Sequence, residues 1–221
     1  MIKENIKNLT LGDTKLVALT KDVSADEIRE AMDAGIEIIG ERYLNEASEK
    51  FKRLGKRVKW HFVGHIKLKE AKELVNIFDV IQTVDSLKAA KAINTAANRQ
   101  EKIQKIMLRV NVAGDQYGVE PEDMVKFYNR LTGMMHLEVI GLMADADDNP
   151  MVCFRKMKNL NSKLKLKFLS MGTSKDYELA IKEGSNMVRL GDVIFGKGSE
   201  SPVTELMNYF LGLFRRMFKV A

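Results

Sequence analysis

The sequence alternates regularly between short apolar, strand-like segments and amphipathic, helix-like segments, and this alternation restricts the fold more than any other feature. The predicted strands cover residues 15–20, 36–40, 58–63, 79–84, 105–111, 137–143, 167–171 and 187–190. The predicted helices cover residues 24–34, 43–54, 67–76, 86–98, 121–133, 151–164 and 174–183. The strands carry Val, Ile, Leu and Phe with little polar alternation, which indicates parallel strands covered on both faces.

Eight strands with seven intervening helices predict an α/β protein with a single (β/α)8 TIM barrel. An open doubly wound sheet is the alternative. No linker-like stretch interrupts the series, so we expect the barrel domain to span residues 1–200 and a C-terminal amphipathic helix to span residues 201–221.

The predicted C-terminal helix has one apolar face and a basic end. Its apolar residues recur at helical spacing: Val203, Leu206, Met207, Phe210, Leu213, Phe214 and Met217. We expect this face to pack on the barrel, because an eighth strand needs a helix over its outer side. Attachment to a membrane surface and self-association are the alternatives.

Composition narrows the class of protein and its location. The 221 residues contain no apolar run of the ~18 residues that a membrane span needs, and the N-terminus has no signal-peptide pattern. One cysteine, Cys153, fits a reducing compartment, so we expect a cytoplasmic protein. The net charge is +6, but the lysines are dispersed over predicted helices without interleaved aromatics. We therefore expect a solvated basic surface and no nucleic-acid partner.

In a barrel of this class the functional groups collect at the C-terminal ends of the strands. Lys21 follows the first predicted strand, and the barrel mouth there would desolvate its amine and make it a nucleophile. A solvated surface lysine is the alternative for this residue taken alone.

Two loops near the end of the predicted barrel carry phosphate-binding features. In "SMGTSKDYELA", residues 170–180, Ser174 is a predicted N-cap, and the helix amides and hydroxyls suit a phosphate; plain helix capping is the alternative. Residues 191–198 read G-x-x-x-x-G-K-G, but the Ser or Thr of a P-loop is missing after Lys197. We therefore do not favour a nucleotide hydrolase.

Metal sites are not favoured either. His61 and His65 have a helical metal-ligand spacing but lie on a predicted strand, so we expect a buried, hydrogen-bonded histidine. Asp145, Asp147 and Asp148 lack the glycine and glutamate of a calcium loop, and we expect them to be solvated.

Several stretches together resemble the pyridoxal-phosphate homeostasis proteins, whose chains look like the barrel domain of alanine racemase standing alone. The matching stretches are "LVALTK", "AGIEIIGERYLNEASEK", "WHFVGH", "VIQTVDS", "RVNVAG", "GLM", "LSMGTSKDYELAIKEG" and "VRLGDVIFG". They run in family order from residue 15 to about residue 197.

The resemblance implies that the cofactor is pyridoxal 5'-phosphate and gives roles to six residues. Lys21 matches the Schiff-base lysine that holds the cofactor as an internal aldimine, and Arg189 matches the arginine facing the pyridine nitrogen. An arginine there keeps the ring nitrogen unprotonated and weakens the ring as an electron sink. The phosphate cradle matches Thr173, Ser174, Gly191 and Asp192.

The chain departs from the family pattern at two places near these residues. Asp192 stands where a threonine is usual, and its carboxylate should repel a phosphate unless the backbone amide alone faces the ligand. Arg42 stands where the family has asparagine, and we expect its charge to offset that of Asp192.

The resemblance implies a cofactor carrier or regulator, possible partners being pyridoxal-phosphate-dependent apo-enzymes. Alanine racemase uses a second domain to supply a base on the opposite face of the ring, and the sequence reveals no such domain. We therefore expect little or no turnover. The alternatives are an amino-acid racemase-like enzyme and an interaction protein with a decayed pocket.

Overall fold

Residues 1–114 and 116–196 are the part of the chain that the structure, a computed structural model, describes, and within them eight parallel strands close into a barrel. The strands are β1 (Lys15–Leu19), β2 (Ile38–Glu41), β3 (Lys59–Phe62), β4 (Val80–Val84), β5 (Gln104–Arg109), β6 (Leu137–Met143), β7 (Phe168–Ser170) and β8 (Met187–Leu190). Each strand pairs with its neighbours in sequence, and β8 pairs with β1. The predicted (β/α)8 barrel is confirmed.

Helices alternate with the strands as expected, and one further helix precedes β1 while another follows β8. They are α1 (Ile2–Lys7), α2 (Ala25–Asp33), α3 (Leu44–Leu54), α4 (Ala71–Ile77), α5 (Leu87–Asn98), α6 (Met124–Asn129), α7 (Pro150–Leu164), α8 (Tyr177–Lys182) and α9 (Asp192–Phe195), with a 3₁₀ turn at Leu68–Glu70. None of these described helices is long and apolar enough to cross a membrane.

Alternation along the strands separates two layers of side chains. Val17 of β1 belongs to a small apolar cluster with residues of β2, β4, β5, β6, β7 and β8, which places that cluster inside the barrel. Its neighbour Ala18 belongs to the large cluster between the strands and the helices. Buried polar residues on the inward side of the strands, Arg189 among them, share the interior with the small cluster. The barrel interior is thus partly polar.

Local signals set several helix boundaries. α2 begins with the predicted cap, since the Ser24 hydroxyl accepts from the Glu27 amide while the Glu27 carboxylate accepts from the Ser24 amide. The predicted N-cap at Ser174 is wrong, because residues 174–176 form a turn and α8 begins after Asp176. Likewise, turns replace both ends of the helix predicted at 121–133.

Two short helices next to the end of β8 are absent from the sequence prediction. α1 packs on α9, and the side-chain amide of Asn5 donates to the Ile194 carbonyl at 2.9 Å. Both helices are too short to give a clear apolar period. The predicted C-terminal helix, residues 201–221, lies outside the described residues.

Candidate functional site

Arg189 of β8 is held rigidly inside the barrel. It is 2% exposed, and its Nη1 donates to the carbonyl and the hydroxyl of Ser170, both at 2.8 Å. Its Nη2 donates to the Ala144 carbonyl at 2.8 Å and to the Asp145 carboxylate at 2.5 Å. Among the described residues nothing accepts from Nε–H. The guanidinium is therefore oriented, with one donor left for a ligand.

A hydrogen-bonded chain continues from this arginine across the barrel. The Ser170 hydroxyl donates to Oε1 of Gln82 at 2.8 Å, and Nε2 of Gln82 donates to Nδ1 of His61 at 2.7 Å. The pKa of His61 falls to about 3, first because the ring is buried and second because Lys59 is nearby. His61 is therefore neutral, and the predicted buried, hydrogen-bonded histidine is confirmed.

The buried His61 should make the protein lose stability in mild acid. A histidine with a depressed folded pKa stabilises the fold above its unfolded pKa of about 6.5, and that contribution is lost as the pH falls toward 3. Between pH 7 and pH 5 we expect the free energy of unfolding to fall by about 2 kcal/mol more in the wild type than in His61→Gln, measured by urea unfolding. His65→Gln, at an exposed histidine, is the control and should behave as the wild type does. Equal losses in wild type and His61→Gln would contradict the neutral, buried assignment.

Asp145 connects Arg189 to a second arginine. Its carboxylate lies 2.5 Å from Nη2 of Arg189 and 3.5 Å from Nη2 of Arg109. Burial acts to raise the pKa of Asp145, but the charges of Arg189 and Arg109 outweigh burial and lower the pKa. The interpretation of Asp145 as a solvated loop residue is wrong. Asp147 and Asp148 are exposed, as expected.

Lys21 lies directly after β1, beside the strand that carries the arginine. Val17 pairs with Arg189 in the β1–β8 ladder, and Lys21 is four residues farther along, in the turn that follows the end of β1 at Leu19. Its side chain is 43% exposed, with Nζ 3.7 Å from a carboxylate oxygen of Asp22. The expected desolvation of the amine is therefore wrong, because the Lys21 side chain is partly open to solvent.

The loops after β7 and β8 meet. The amide of Gly191 donates to the Ser174 hydroxyl oxygen at 3.3 Å. A Cβ added at Gly191 would lie 3.3 Å from the Leu19 carbonyl oxygen, so this loop also touches the end of β1. Gly172 has φ +97°, and a Cβ there would lie 2.6 Å from Cβ of Ala180, which explains the glycine before the loop. The structure therefore brings the loops after β7 and β8 to the end of the strand that precedes Lys21.

The donors in these loops are only partly occupied. Both the amide and the hydroxyl of Thr173 donate to Oδ1 of Asp176, at 2.6 and 3.0 Å. The amides of Ser174 and Asp192, in contrast, have no acceptor among the described residues. The Asp192 side chain is exposed at the start of α9. Open amides and a hydroxyl between two loops fit a phosphate group, with Thr173 already engaged by a carboxylate.

Sequence reasoning missed Asp176 as a part of this loop. The signal was present, because Thr173 and Asp176 have the spacing of a capping box before an apolar run. Asp145 gave no such signal, since its partner Arg189 is 44 residues away in the chain.

A groove of about 1280 Å³ opens beside the mouth, over the ends of β2 and β3. Arg42, His65, Arg109, Tyr117 and Asp145 line its inner end. The rings of His65 and Tyr117 lie 4.3 Å apart, and the Arg109 guanidinium lies 5.9 Å from the Tyr117 ring centre. The charge of Arg42 helps to lower the pKa of Asp145.

Comparison with known proteins agrees with this geometry. The family model for the alanine racemase N-terminal domain matches residues 2–198. A curated pyridoxal phosphate homeostasis protein from Aquifex aeolicus is 30% identical over 197 residues, covering 83% of this chain and 86% of that protein. The human protein of the same name is 31% identical over 218 residues, covering 86% of this chain and 79% of that protein. The chain belongs to the pyridoxal phosphate homeostasis protein family.

Solved structures place this homeostasis family member on the same barrel. PipY of Synechococcus elongatus, solved with pyridoxal phosphate bound, superposes with a TM-score of 0.82 at 28% identity, covering 88% of this chain and all of that one. An alanine racemase of Clostridium difficile superposes with a TM-score of 0.78 at 16% identity, covering 91% of this chain and 56% of that one. The racemase likeness shows the shared fold.

Proposed function

We propose that this chain binds pyridoxal 5'-phosphate and serves cofactor homeostasis by holding it on Lys21. One observation carries the proposal. Three consecutive strands, β7, β8 and β1, deliver at one end of the barrel the phosphate donors, a buried arginine and a primary amine. Those are the three groups that a pyridine aldehyde with a phosphate arm requires.

Each residue has a separate task in this proposal. The hydroxyl and amide of Ser174, with the amide of Asp192, hold the phosphate oxygens, and the Gly191 amide orients the Ser174 hydroxyl by donating to it. The Nε–H of Arg189 donates to the pyridine nitrogen, and the hydrogen bonds from its other two nitrogens keep the guanidinium aimed at the ring. Bound pyridoxal phosphate supplies an aldehyde that condenses with a primary amine and releases water. Lys21 supplies that amine. Thr173 shapes the phosphate loop through Asp176.

We also propose little or no turnover. Racemisation needs a base that removes a proton on one face of the ring and an acid that returns a proton on the other. Lys21 is the amine that we assign to the cofactor, and among the described residues we assign no partner base to the opposite face. The chain then acts as a carrier in the cytoplasm, and delivery to apo-enzymes is the step by which it would serve other proteins.

A titration of the purified protein with pyridoxal phosphate tests the proposal. We expect a near-visible absorbance band that saturates at one cofactor per chain and disappears on borohydride treatment. Incubation of the loaded protein with L-alanine should produce no D-alanine. A protein that gives no band has no such site, and accumulation of D-alanine would identify an enzyme.

Removing the Asp192 carboxylate should tighten cofactor binding. A carboxylate within ~5 Å of a phosphate dianion costs about 1 kcal/mol or more, so Asp192→Thr should lower the dissociation constant about fivefold. Equilibrium titration measures the change, and Asp33→Thr, which removes the same charge at the exposed end of α2, is the control. Unchanged or weaker binding by Asp192→Thr would mean that the side chain points away from the phosphate or makes a needed hydrogen bond.

A further inference from the structure

A buried charged cluster lies behind Lys21, between the ends of β1 and β2 and helix α3. Glu41 is fully buried, and the side chain of Lys50 is 11% exposed. Oε1 of Glu41 accepts from the Thr20 hydroxyl at 2.6 Å and from Nζ of Lys50 at 2.7 Å. Nζ of Lys50 also donates to Glu46, one helical turn earlier, at 3.2 Å. The cluster joins both strand ends to α3.

This cluster makes hydrogen bonds to the backbone on both sides of Lys21. Nζ of Lys50 donates to the Thr20 carbonyl at 2.5 Å, which ties down the peptide group before the lysine. Oε2 of Glu46 accepts from the Asp22 amide at 3.3 Å, which ties down the peptide group after it. Lys50 thereby uses all three of its N–H donors, on Thr20, Glu41 and Glu46.

Fold stability alone does not account for these charges. Burial raises the pKa of Glu41 even though Lys50 and Thr20 act to lower it, and Oε2 of Glu41 has no hydrogen-bond partner. A buried ion pair is often no more stabilising than apolar side chains of the same size, and an unpartnered oxygen adds a cost. Such a cluster is better explained by what it holds in place.

What it holds is an unfavourable turn. Asp22 has φ +57°, a left-handed conformation that is disfavoured for residues other than glycine. A turn of this kind persists when surrounding contacts fix it. Without the contacts from α3, the backbone at residues 20–22 would relax, and the direction of the Lys21 side chain would change with it.

We propose that Glu46 and Lys50 form a clamp that aims Lys21 at the barrel mouth, with Glu41 as its buried anchor. These are positioning residues, and the inference rests on the proposed function of Lys21. An amine held in one direction reacts with a bound aldehyde as in an intramolecular reaction, and a small misplacement is costly. The clamp therefore governs the covalent step and leaves the recognition of phosphate and ring unchanged.

Two variants open the clamp while preserving the fold. Glu46→Ala removes the acceptor of the Asp22 amide from a half-buried position. The double variant Glu41→Gln/Lys50→Met removes the donor to Thr20 without leaving a lone buried charge. Glu49→Ala/Lys52→Met is the matched control, because that pair lies on the same helix, is 73% and 68% exposed, and consists of two side chains hydrogen-bonded to each other.

Three measurements distinguish a positioning role from a general structural one. We expect both clamp variants to form the borohydride-trapped adduct on Lys21 about tenfold or more slowly than wild type. Their affinity for pyridoxine 5'-phosphate, which has an alcohol in place of the aldehyde, should stay within about twofold. In the ligand-free protein, the Asp22 amide of Glu46→Ala should exchange hydrogen faster. The control should match the wild type in all three.

The outcomes separate the two proposals. Clamp variants that trap the adduct at the wild-type rate, or an unchanged exchange rate at Asp22, would overturn the clamp while the proposed function stands. Equal losses of adduct formation and of pyridoxine 5'-phosphate affinity would show that the cluster only supports the fold. A wild-type protein without an adduct on Lys21 would refute the proposed function itself. The rate of hydrogen exchange at the Asp22 amide would then still test whether the clamp holds the backbone.

Discussion

Lys21→Ala is expected to abolish covalent attachment of pyridoxal phosphate and to leave the barrel folded. The proposed bond forms at Nζ of this residue, so no substitution without an amine can replace it. The side chain is 43% exposed and therefore contributes little packing. Mass spectrometry of the borohydride-reduced protein should show the adduct in the wild type and no adduct in the variant. Circular dichroism should give the same melting temperature for both.

Lys15→Ala is the matched control for this experiment. Lys15 is an exposed lysine at the other end of the same strand, and its loss should leave the adduct unchanged. Peptide mapping decides between lysines. An adduct found mainly on Lys175 or Lys197 in the wild type would refute the assignment of Lys21, even if Lys21→Ala lowered the total yield.

Arg189→Met is expected to cause the largest loss of stability, about 3–5 kcal/mol, because it breaks a buried charge pair from one side. The substitution leaves the Ala144 carbonyl without its donor, removes one of two donors to the Ser170 carbonyl, and removes a partner of the Asp145 carboxylate. Denaturant unfolding measures the loss. Arg155→Met removes a surface arginine that is 61% exposed and pairs with Glu183, and this control should cost under about 1 kcal/mol.

A second variant keeps the arginine prediction testable if Arg189→Met does not fold. Arg189→Lys retains the charge beside Asp145 but has no Nε–H in the same place, so the fold should survive and cofactor affinity should fall. A stability loss below about 1 kcal/mol in Arg189→Met would contradict the role of Arg189 as the centre of the buried network.

The barrel could be predicted because its signals are local and repeat. Each strand is a short run of β-branched and apolar residues, and each helix follows with its own apolar period. An error in one predicted boundary therefore does not alter the prediction of the other elements. The signal fails where elements are short. α1 and α9 have six and four residues, and their pairing through Asn5 and Ile194 joins the two ends of the described chain.

The candidate site could be predicted from the sequence only for those residues that lie at the ends of strands. Lys21, Arg189, Ser174 and Gly191 stand at strand ends, and the topology brings those ends together. Contacts between distant residues leave no local pattern. Lys50 reaches the Thr20 carbonyl from 30 residues away, and Asp145 reaches Arg189 from 44. In the sequence, Lys50 and Asp145 look like ordinary solvated charges, because a buried partner cannot be recognised without the fold.

The pairing of β8 with β1 makes the site the last part of the barrel to exist during synthesis. Lys21 leaves the ribosome early, but the strand carrying Arg189 and the loop at Gly191 emerge about 170 residues later. A growing chain therefore contains the amine long before it contains the other residues of the site. Such a long-range pairing is slow to form, although β8 pairs with β1 at four positions and with β7 at only one. A cofactor attached on the β1 side and bound by the loops after β7 and β8 would link the first strand to the last two, and its binding would stabilise the closed barrel in proportion to how fully the site is occupied.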